Sequence, residues 1–187
     1  LRHSLKQFDC IFKLIIFFSL ISLTSCVNDL DTIRKITYKS SDPDDRTRDL
    51  VVLYTDSGYA KVQVFATIAE TYSKPEQVMK LKDGVKVNFF SNDGEIVSVL
   101  TALYGEIHQN DGTMFVRDSV VLFNKEKNQR LETEELHWNQ KDSSIYTNKA
   151  VIVRKDNAIL FGQGIKTKQD FSEYEFVQPR GSMNINK

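Results

Sequence analysis

Three groups of polar residues have types and spacings that can support chemistry. Glu132-Thr133-Glu134-Glu135 can supply paired carboxylates, which glycoside hydrolases use as acid and base. Gly162-Gln163-Gly164 can bring backbone amides close to a phosphate, but it lacks the third glycine and the following helix of a phosphate-binding loop. His108 and His137 show no His-x-His spacing that would bring them together as metal ligands. A polar strand face explains the glutamates more simply, so we expect no enzyme activity, no metal and no cofactor.

Cys26 has the most specific chemical context in the sequence. Leu23-Thr24-Ser25-Cys26 resembles a bacterial lipobox, in which an apolar residue and two small residues precede a cysteine. The thiol of that cysteine takes diacylglycerol as a thioether before cleavage frees its amine for a further acyl chain. Each buried methylene adds about 0.8 kcal/mol to membrane binding, so several chains make a durable anchor. We therefore expect Cys26 to carry the lipid attachment.

The residues before Cys26 have the organisation of a secretory signal peptide. Arg2, Lys6 and Lys13 give a positive start, and an apolar run follows over 14–23. A membrane-spanning helix needs about 20 mostly apolar residues, which this run does not supply. The sequence predicts a cleaved signal over 1–25, and an uncleaved signal-anchor helix is the alternative.

Composition places the rest of the chain among globular proteins. Hydrophobic residues make up 41% and charged residues 27%, and the formal net charge is +0. That balance argues against nucleic-acid binding through a global basic field. The two cysteines, Cys10 and Cys26, fall in the signal and at the lipid site. No disulfide is therefore expected to support the fold.

The polar pattern after Cys26 predicts a tether followed by one domain. No regular hydrophobic period occurs before residue 50, and the acidic cluster around Asp42-Pro43-Asp44-Asp45 lacks the spacing of a calcium loop. We expect a tether over 26–49, the folded domain over 50–178 and a tail over 179–187.

Residues from 50 onward are typical of an all-β protein. Apolar and polar residues alternate over 61–68, and Asn92-Asp93-Gly94 and Asn110-Asp111-Gly112 separate apolar runs as hairpin turns. Strands recur every 8–12 residues, which is typical of a sandwich or a barrel-like roll. Lys74–Lys80, with Pro75 near its start, is expected to form a short helical turn.

A repeated pattern indicates that the strands bend. Apolar or small residues occur at offsets 0, 2, 5 and 7 from Leu100, Leu131 and Leu160. A flat strand would show offsets 0, 2, 4 and 6, so the extra residue changes which side chains face inward. Such a change is typical of a β-bulge or of a strand that passes from one sheet layer to another. The pattern predicts a curved roll of two sheets.

Several of these segments resemble one family of exported proteins. Phe89-Phe90 before a turn, Leu131-x-Thr133-x-x-Leu136-x-Trp138 and Leu160-x-Gly162-x-Gly164 resemble the lipopolysaccharide-export family LptC, most closely its lipoprotein form in Bacteroidetes-type bacteria. Leu100-Thr101-Ala102 also resembles this family, and the resemblance covers roughly residues 50–178. The resemblance implies an open β-jellyroll that receives lipopolysaccharide from an inner-membrane ABC transporter. It would pass the lipid to a homologous periplasmic jellyroll by edge-to-edge strand pairing.

The resemblance, combined with strand parity, gives a set of expected site residues. The inward positions that we expect to line a lipid groove are Val87, Phe89, Leu100, Ala102, Val121, Leu131, Thr133 and Leu160. Gly162 and Gly164 are expected at the C-terminal partner edge, where Pro179 would end the last strand. Better-known members keep a transmembrane helix, which this chain would lose by cleavage before Cys26.

The expected location is the periplasmic side of the cell envelope, with the lipid anchor held in the inner membrane. Two other readings of the sequence remain. The chain can be a lipoprotein β-roll that acts as a structural or adhesive module through its outer face. A carbohydrate-active enzyme is the weaker alternative, because it depends on the acidic run 132–135.

Overall fold

Ten antiparallel strands make up most of the computed structural model, which describes residues 42–155 and 158–184. The long strands follow from alternating apolar and polar residues, many of them β-branched or aromatic. The strands are β1 (Asp45–Asp56), β2 (Tyr59–Tyr72), β3 (Val78–Phe90), β4 (Ile96–Ala102), β5 (Tyr104–His108), β6 (Thr113–Asn124), β7 (Gln129–Asn139), β8 (Ser144–Lys155), β9 (Ala158–Lys168) and β10 (Tyr174–Asn184).

The strands follow one another through a single sheet. Their order is β1-β2-β3-β4-β6-β7-β8-β9-β10, and the short β5 pairs with β3 and β6 beside the end of β4. The predicted turns at 92–94 and 110–112 join antiparallel neighbours as hairpins, whereas β4 and β5 follow each other without pairing. Among the strands that the structure describes, β1 and β10 each pair with one neighbour, so they form the two edges of the sheet.

Register shifts bend the long strands across their middle. In β6 the shift lies between Arg117 and Val120, and in β7 it lies between Thr133 and His137. Asp118 and Ser119, at the first of these, have φ of 69° and 56°, which is the left-handed conformation that asparagine-like polar residues tolerate best. The bends predicted from the 0, 2, 5, 7 pattern are confirmed, because buried residues change parity between Ala102 and Gly105, between Leu131 and Leu136, and between Gly162 and Ile165.

Each long strand therefore contributes to two layers, and one apolar cluster draws buried residues from both of them. We call these layer 1 and layer 2. Layer 1 contains 50–56, 59–66, 85–90, 96–102, 120–124, 129–133, 150–155, 158–163 and 178–184. Layer 2 contains 45–48, 68–72, 78–82, 104–108, 113–117, 135–139, 144–147, 165–168 and 174–176. The fold is an open β-jellyroll, and the cluster fills its inner face.

A continuous row of aliphatic side chains crosses the inner face of layer 1. Directly paired residues on neighbouring strands point to the same face of a sheet, so the register defines the row. It consists of Val52, Val64, Val87, Leu100, Leu122, Leu131, Val153 and Leu160. We call it the inner row. Fully burying one such side chain contributes about 1.5–3 kcal/mol, so this row accounts for a large part of the stability of the fold.

Both ends of the domain differ from the sequence prediction. β1 begins at Asp45, five residues inside the predicted tether, and residues 45–48 pair with β2 although their side chains are exposed. Backbone pairing at an edge needs no buried face, so hydrophobic periodicity could not reveal it. β10 continues to Asn184 instead of ending at Pro179. A proline is tolerated in an edge strand, and here the register also shifts between Pro179 and Gly181.

The predicted helical turn at Lys74–Lys80 is wrong. Residues 73–77 form a connection with bends, and β3 begins at Val78. The Lys74–Pro75 peptide bond is cis. The signal, the lipidated cysteine and most of the tether lie outside the described residues.

Candidate functional site

Most of the residues predicted to line the groove lie on the inner face. Val87, Phe89, Leu100, Ala102 and Leu131 are all buried in the apolar cluster, with exposed fractions of 6% or less. Val87, Leu100 and Leu131 belong to the inner row. The alternation of apolar and polar residues was sufficient to assign these positions, because each lies on a strand with an unambiguous parity.

Val121 was assigned to the wrong face. Val120 and Leu122 are buried, with exposed fractions of 1% and 0%, whereas Val121 is half-buried on the outer face. Val120-Val121-Leu122 is apolar throughout and follows directly on a bulge, so alternation alone does not determine its parity. Leu122 takes the place in the inner row that we had given to Val121.

Thr133 and Leu160 lie on the inner face but are only half-buried. Leu160 is paired with Val153 and packs against the edge of the cluster. Thr133 lies at the bend of β7, where its hydroxyl donates a hydrogen bond of 2.9 Å to the carbonyl of Ala150. A hydroxyl at that point satisfies a backbone group that the register shift leaves without a ladder partner.

An aromatic corner joins the two layers. Trp138 of layer 2 meets Phe89 and Tyr54 of layer 1 edge-on, with ring centroids 6.3 and 6.2 Å apart. Burial raises the pKa of the Tyr54 hydroxyl above its usual range. The indole N–H of Trp138 is buried and has no hydrogen-bond partner among the described residues. Edge-to-face pairs of this kind favour one geometry, so they fix the spacing of the layers at this corner.

A cavity of about 530 Å³ lies beside this corner. Tyr54, Val62 and Trp138 form its apolar wall, and Lys61 and Lys141 are among its polar lining residues. A second concavity, of about 480 Å³, is lined by residues of β1 to β4 that include the predicted Ala102. The first cavity borders the inner face at the aromatic corner, whereas the second is lined by residues of both faces, such as the inward Ala102 and the outward Thr101.

Sequence reasoning missed several residues of the interior. Phe171, in the β9–β10 turn, is completely buried, and so are Leu81 and Ile145. A signal for Leu81 and Ile145 exists in the alternation of β3 and β8. Phe171 has no such signal, because it lies in a polar turn without periodicity.

Gly162 and Gly164 lie one strand inside the C-terminal edge of the sheet, and their predicted role in partner docking stays a prediction. Both belong to β9, which pairs with β8 on one side and β10 on the other. A Cβ atom on Gly162 would lie 2.1 Å from Cδ1 of Phe176, and one on Gly164 would lie 3.0 Å from Cβ of Val177. These glycines therefore make room for side chains of the chain's own last strand.

The edges of the sheet carry exposed aliphatic side chains. Val51 and Leu53 of β1 are 56% and 52% exposed, and Val177 of β10 is 63% exposed. On β1 the alternate residues, Val52 and Tyr54, pack against the cluster. The N-terminal edge strand is thus apolar on both faces, which is unusual for an edge that remains in water.

A charged cluster ties the first three strands together on the outer face of layer 2. The carboxylate of Glu70, whose side chain is 4% exposed, accepts from Arg46 at 2.6 Å and from Lys82 at 2.5 Å. Tyr72 also donates to it at 2.9 Å. The hydrogen bond from Lys82 is the main reason that the pKa of Glu70 falls to about 2. This Glu70 cluster links β1 to β3 across β2.

The acidic run 132–135 takes part in ion pairs instead of forming an acid pair. Glu132 lies 2.7 Å from Arg130 and 3.4 Å from Arg154, and Glu135 lies 3.8 Å from Lys149. Within the described ranges, no group of three or more His, Cys, Asp or Glu residues could hold a metal ion. The same part of the chain contains no helix long and apolar enough to cross a membrane.

Comparison with known proteins identifies the family. The family model described as "LptC: Lipopolysaccharide-assembly, LptC-related" matches residues 14–178. A search of curated proteins found no match. Proteins of this family are periplasmic, are associated with the inner membrane and act in lipopolysaccharide transport. The all-β jellyroll and the match over most of the sequence agree, and the chain belongs to the LptC-related family of lipopolysaccharide-assembly proteins.

Proposed function

We propose that this chain is a membrane-anchored bridge that binds the acyl chains of lipopolysaccharide between its two layers. It accepts the lipid from an inner-membrane ABC transporter at the β1 edge. It then passes the lipid to a homologous periplasmic jellyroll at the β10 edge. Membership of the family supports the general role, and the finer route is our proposal.

The observation that carries this proposal is the inner row. It runs without a charged residue from Val52 on one edge strand to Leu160 beside the other, and neither edge strand has a second neighbour within the described part of the chain. An apolar path between two unpaired edges gives acyl chains a low-polarity route while sugars and phosphates remain in water. Unpaired edges can also extend a sheet into a partner by strand addition.

Site-specific photocrosslinking tests the route. Leu160 and Val121 are both half-buried aliphatic residues, but only Leu160 belongs to the inner row. We expect a crosslinker at Leu160 or Val52 to trap lipopolysaccharide, and one at Val121 to trap at least fivefold less. Glu132, on the outer face, and Lys125, in the exposed β6–β7 turn, provide polar controls. Equal trapping at Leu160 and Val121 would contradict the route. Trapping of a protein at Val121, without lipid at Leu160, would favour an adhesive module.

The anchor is the second part of the proposal. The thioether at Cys26 would hold the domain at the inner membrane through the segment before β1, and the family's association with that membrane supports such an attachment. The variant Cys26→Ala should leave the chain unprocessed or release it from membranes. Fractionation after a high-salt wash measures this, with Cys10→Ala as the matched control. Normal processing and continued sedimentation of Cys26→Ala would contradict the anchor.

A further inference from the structure

The turn between β9 and β10 joins two segments of layer 2 and reaches across to layer 1. It comprises Gln169–Glu173, and both of its flanking strand segments, 165–168 and 174–176, belong to layer 2. On that side Gln169 donates its backbone N–H to the carbonyl of Ser143 at 3.1 Å. We call this segment the crossing turn.

The side-chain hydrogen bonds from layer 1 to the crossing turn meet at one backbone carbonyl. The carbonyl of Asp170 accepts from the hydroxyl of Ser98 at 2.9 Å and from the amide of Asn124 at 2.5 Å. Lys127 donates to the carbonyl of Ser172 at 2.7 Å. We call the gap between the two layers beside β4 and β6 the slot. These bonds cross the slot and close it where the turn lies.

Ser98 and Asn124 are unusual residues for the inner face of this fold. They continue the register of Phe89 across β4 and β6, and their exposed fractions are 0% and 2%. The hydrogen bonds that the structure describes for the hydroxyl of Ser98 and the NH₂ group of Asn124 both go to the carbonyl of Asp170 in the crossing turn. An aliphatic residue would serve a permanent core better, because a buried polar group must keep its partner. A serine and an asparagine can instead exchange that partner for water when the turn leaves.

Phe171 is the apolar part of the contact. Its ring is completely buried in the apolar cluster and stacks on Tyr174 at 5.3 Å, while its backbone has a φ of 51°. A bulky residue seldom adopts that left-handed conformation, so the surrounding contacts must hold it there. The ring occupies interior volume that an acyl chain would need.

The crossing turn is also organised within itself. The carboxylate of Asp170 accepts from the backbone N–H and the hydroxyl of Ser172 at 3.0 and 2.8 Å, and Phe171 donates its N–H to Lys168 at 2.9 Å. These bonds do not involve layer 1. The turn can therefore leave layer 1 as a unit without losing its own shape.

We propose that the crossing turn is a latch, in which the ring of Phe171 occupies an acyl-chain subsite until lipid replaces it. Release exposes Ser98 and Asn124 to water and opens the slot beside β4 and β6. The acyl chain of an incoming amphiphile then takes the volume of the ring. The ligand class rests on the proposed function, whereas the opening of the latch does not.

Thiol labelling tests the opening without lipid. In the full chain carrying Cys10→Ala and Cys26→Ala, Ser98→Cys places a thiol beneath the crossing turn with little change in size. Val87→Cys is the matched control, because Val87 is 1% exposed on the neighbouring strand and has no hydrogen bond to the turn. We expect Ser98→Cys to react at least tenfold faster than Val87→Cys under native conditions. Equal rates would overturn the latch.

A reversible lock tests the subsite. The double variant Lys127→Cys/Ser172→Cys, joined by a short cross-linker with a reducible bond, fastens the turn to layer 1. Lys125→Cys/Lys127→Cys carries the same cross-linker within one turn and leaves the slot free. The locked chain should bind fluorescent lipopolysaccharide at least tenfold more weakly than this control, and reduction should restore binding.

The remaining outcomes separate the two proposals. Unchanged binding by the locked chain would overturn the subsite. Failure of even the unlocked chain to bind lipopolysaccharide would contradict the proposed function and the acyl-chain ligand with it. The labelling rates would still decide whether the turn opens.

Discussion

The two edges of the sheet are held to the body of the roll by different chemistry. At the N-terminal edge, the Glu70 cluster ties Arg46 of β1 to Lys82 of β3 through a nearly buried carboxylate. At the C-terminal edge, the ring of Phe176 lies over Gly162 so closely that no other side chain fits there. One attachment depends on charge and hence on pH, and the other depends on shape. The two ends can therefore be weakened separately.

The largest expected effect comes from Gly162. An arginine, or even an alanine, at this position would collide with Phe176, because the new Cβ would lie 2.1 Å from the ring. Overpacking of this kind typically costs 1–3 kcal/mol, and we expect about 3 kcal/mol for Gly162→Arg because the ring must leave its place. Thermal melts measure the loss.

A second substitution sharpens that result. In Gly162→Ala/Phe176→Ala the collision is removed, so the double variant should lose less stability than the two single changes added together. Gly105→Ala is the control for replacing a strand glycine, since Gly105 also lacks a left-handed φ and its added Cβ would come no closer than 3.3 Å to a neighbour, Cγ1 of Val116. Additive losses would show that the ring does not occupy the space over Gly162. An unchanged melt with lost partner capture would restore the sequence-based view that Gly162 serves docking.

A smaller effect is expected from the charged cluster at the other edge. The pKa of Glu70 falls from 4.5 to about 2 in the folded protein, chiefly through its hydrogen bond to Lys82. A depressed folded pKa stabilises the fold above the unfolded value and loses that contribution as pH falls through the folded one. The contribution is therefore present above about pH 4.5 and is lost between there and about pH 2. Solvent around Arg46 and Lys82 screens the pairs, so we expect Glu70→Gln to cost roughly 2 kcal/mol at neutral pH.

Urea unfolding at pH 7 and pH 3 measures this contribution. The difference between the parent chain and Glu70→Gln should shrink as the pH is lowered. Glu132→Gln is the control. Glu132 forms ion pairs with Arg130 and Arg154, which are about half exposed, so solvent screens these pairs and their loss should cost little at either pH. A constant difference at both pH values would exclude the charge of Glu70 as the cause.

The smallest effect on stability, and the sharpest on function, is expected from the exposed edge residues. Val51→Lys and Val177→Lys should each change stability by less than about 0.5 kcal/mol, because both side chains are more than half exposed. If β1 meets the transporter and β10 meets the next jellyroll, each change should reduce capture of one partner only. Pull-downs with the two partners measure this. Loss of both captures from either variant would contradict the assignment of the edges.

Much of this fold follows from the order of the residues. The 0, 2, 5, 7 pattern located the bends at β4–β5, β7 and β9, because one extra residue there changes the parity of the inward side chains. Errors arose where another interaction replaced burial. Val121 lies in an apolar triplet after a bulge, and residues 45–48 are held by backbone pairing alone. Phe171 was missed because it lies in a turn whose contacts come from residues distant in sequence, such as Ser98 and Asn124, which both donate to the carbonyl of Asp170.

The bends also determine what kind of genetic change this domain can tolerate. In β6, two left-handed residues, Asp118 and Ser119, separate a segment of layer 2 from a segment of layer 1. Deleting one of them would invert the inward and outward faces of every later residue in that strand, as would one inserted residue. Substitution on the outer face leaves the register intact. Length variation among descendants of this gene should therefore be confined to the hairpin turns, and the spacing across each bend should persist even where the residues themselves diverge.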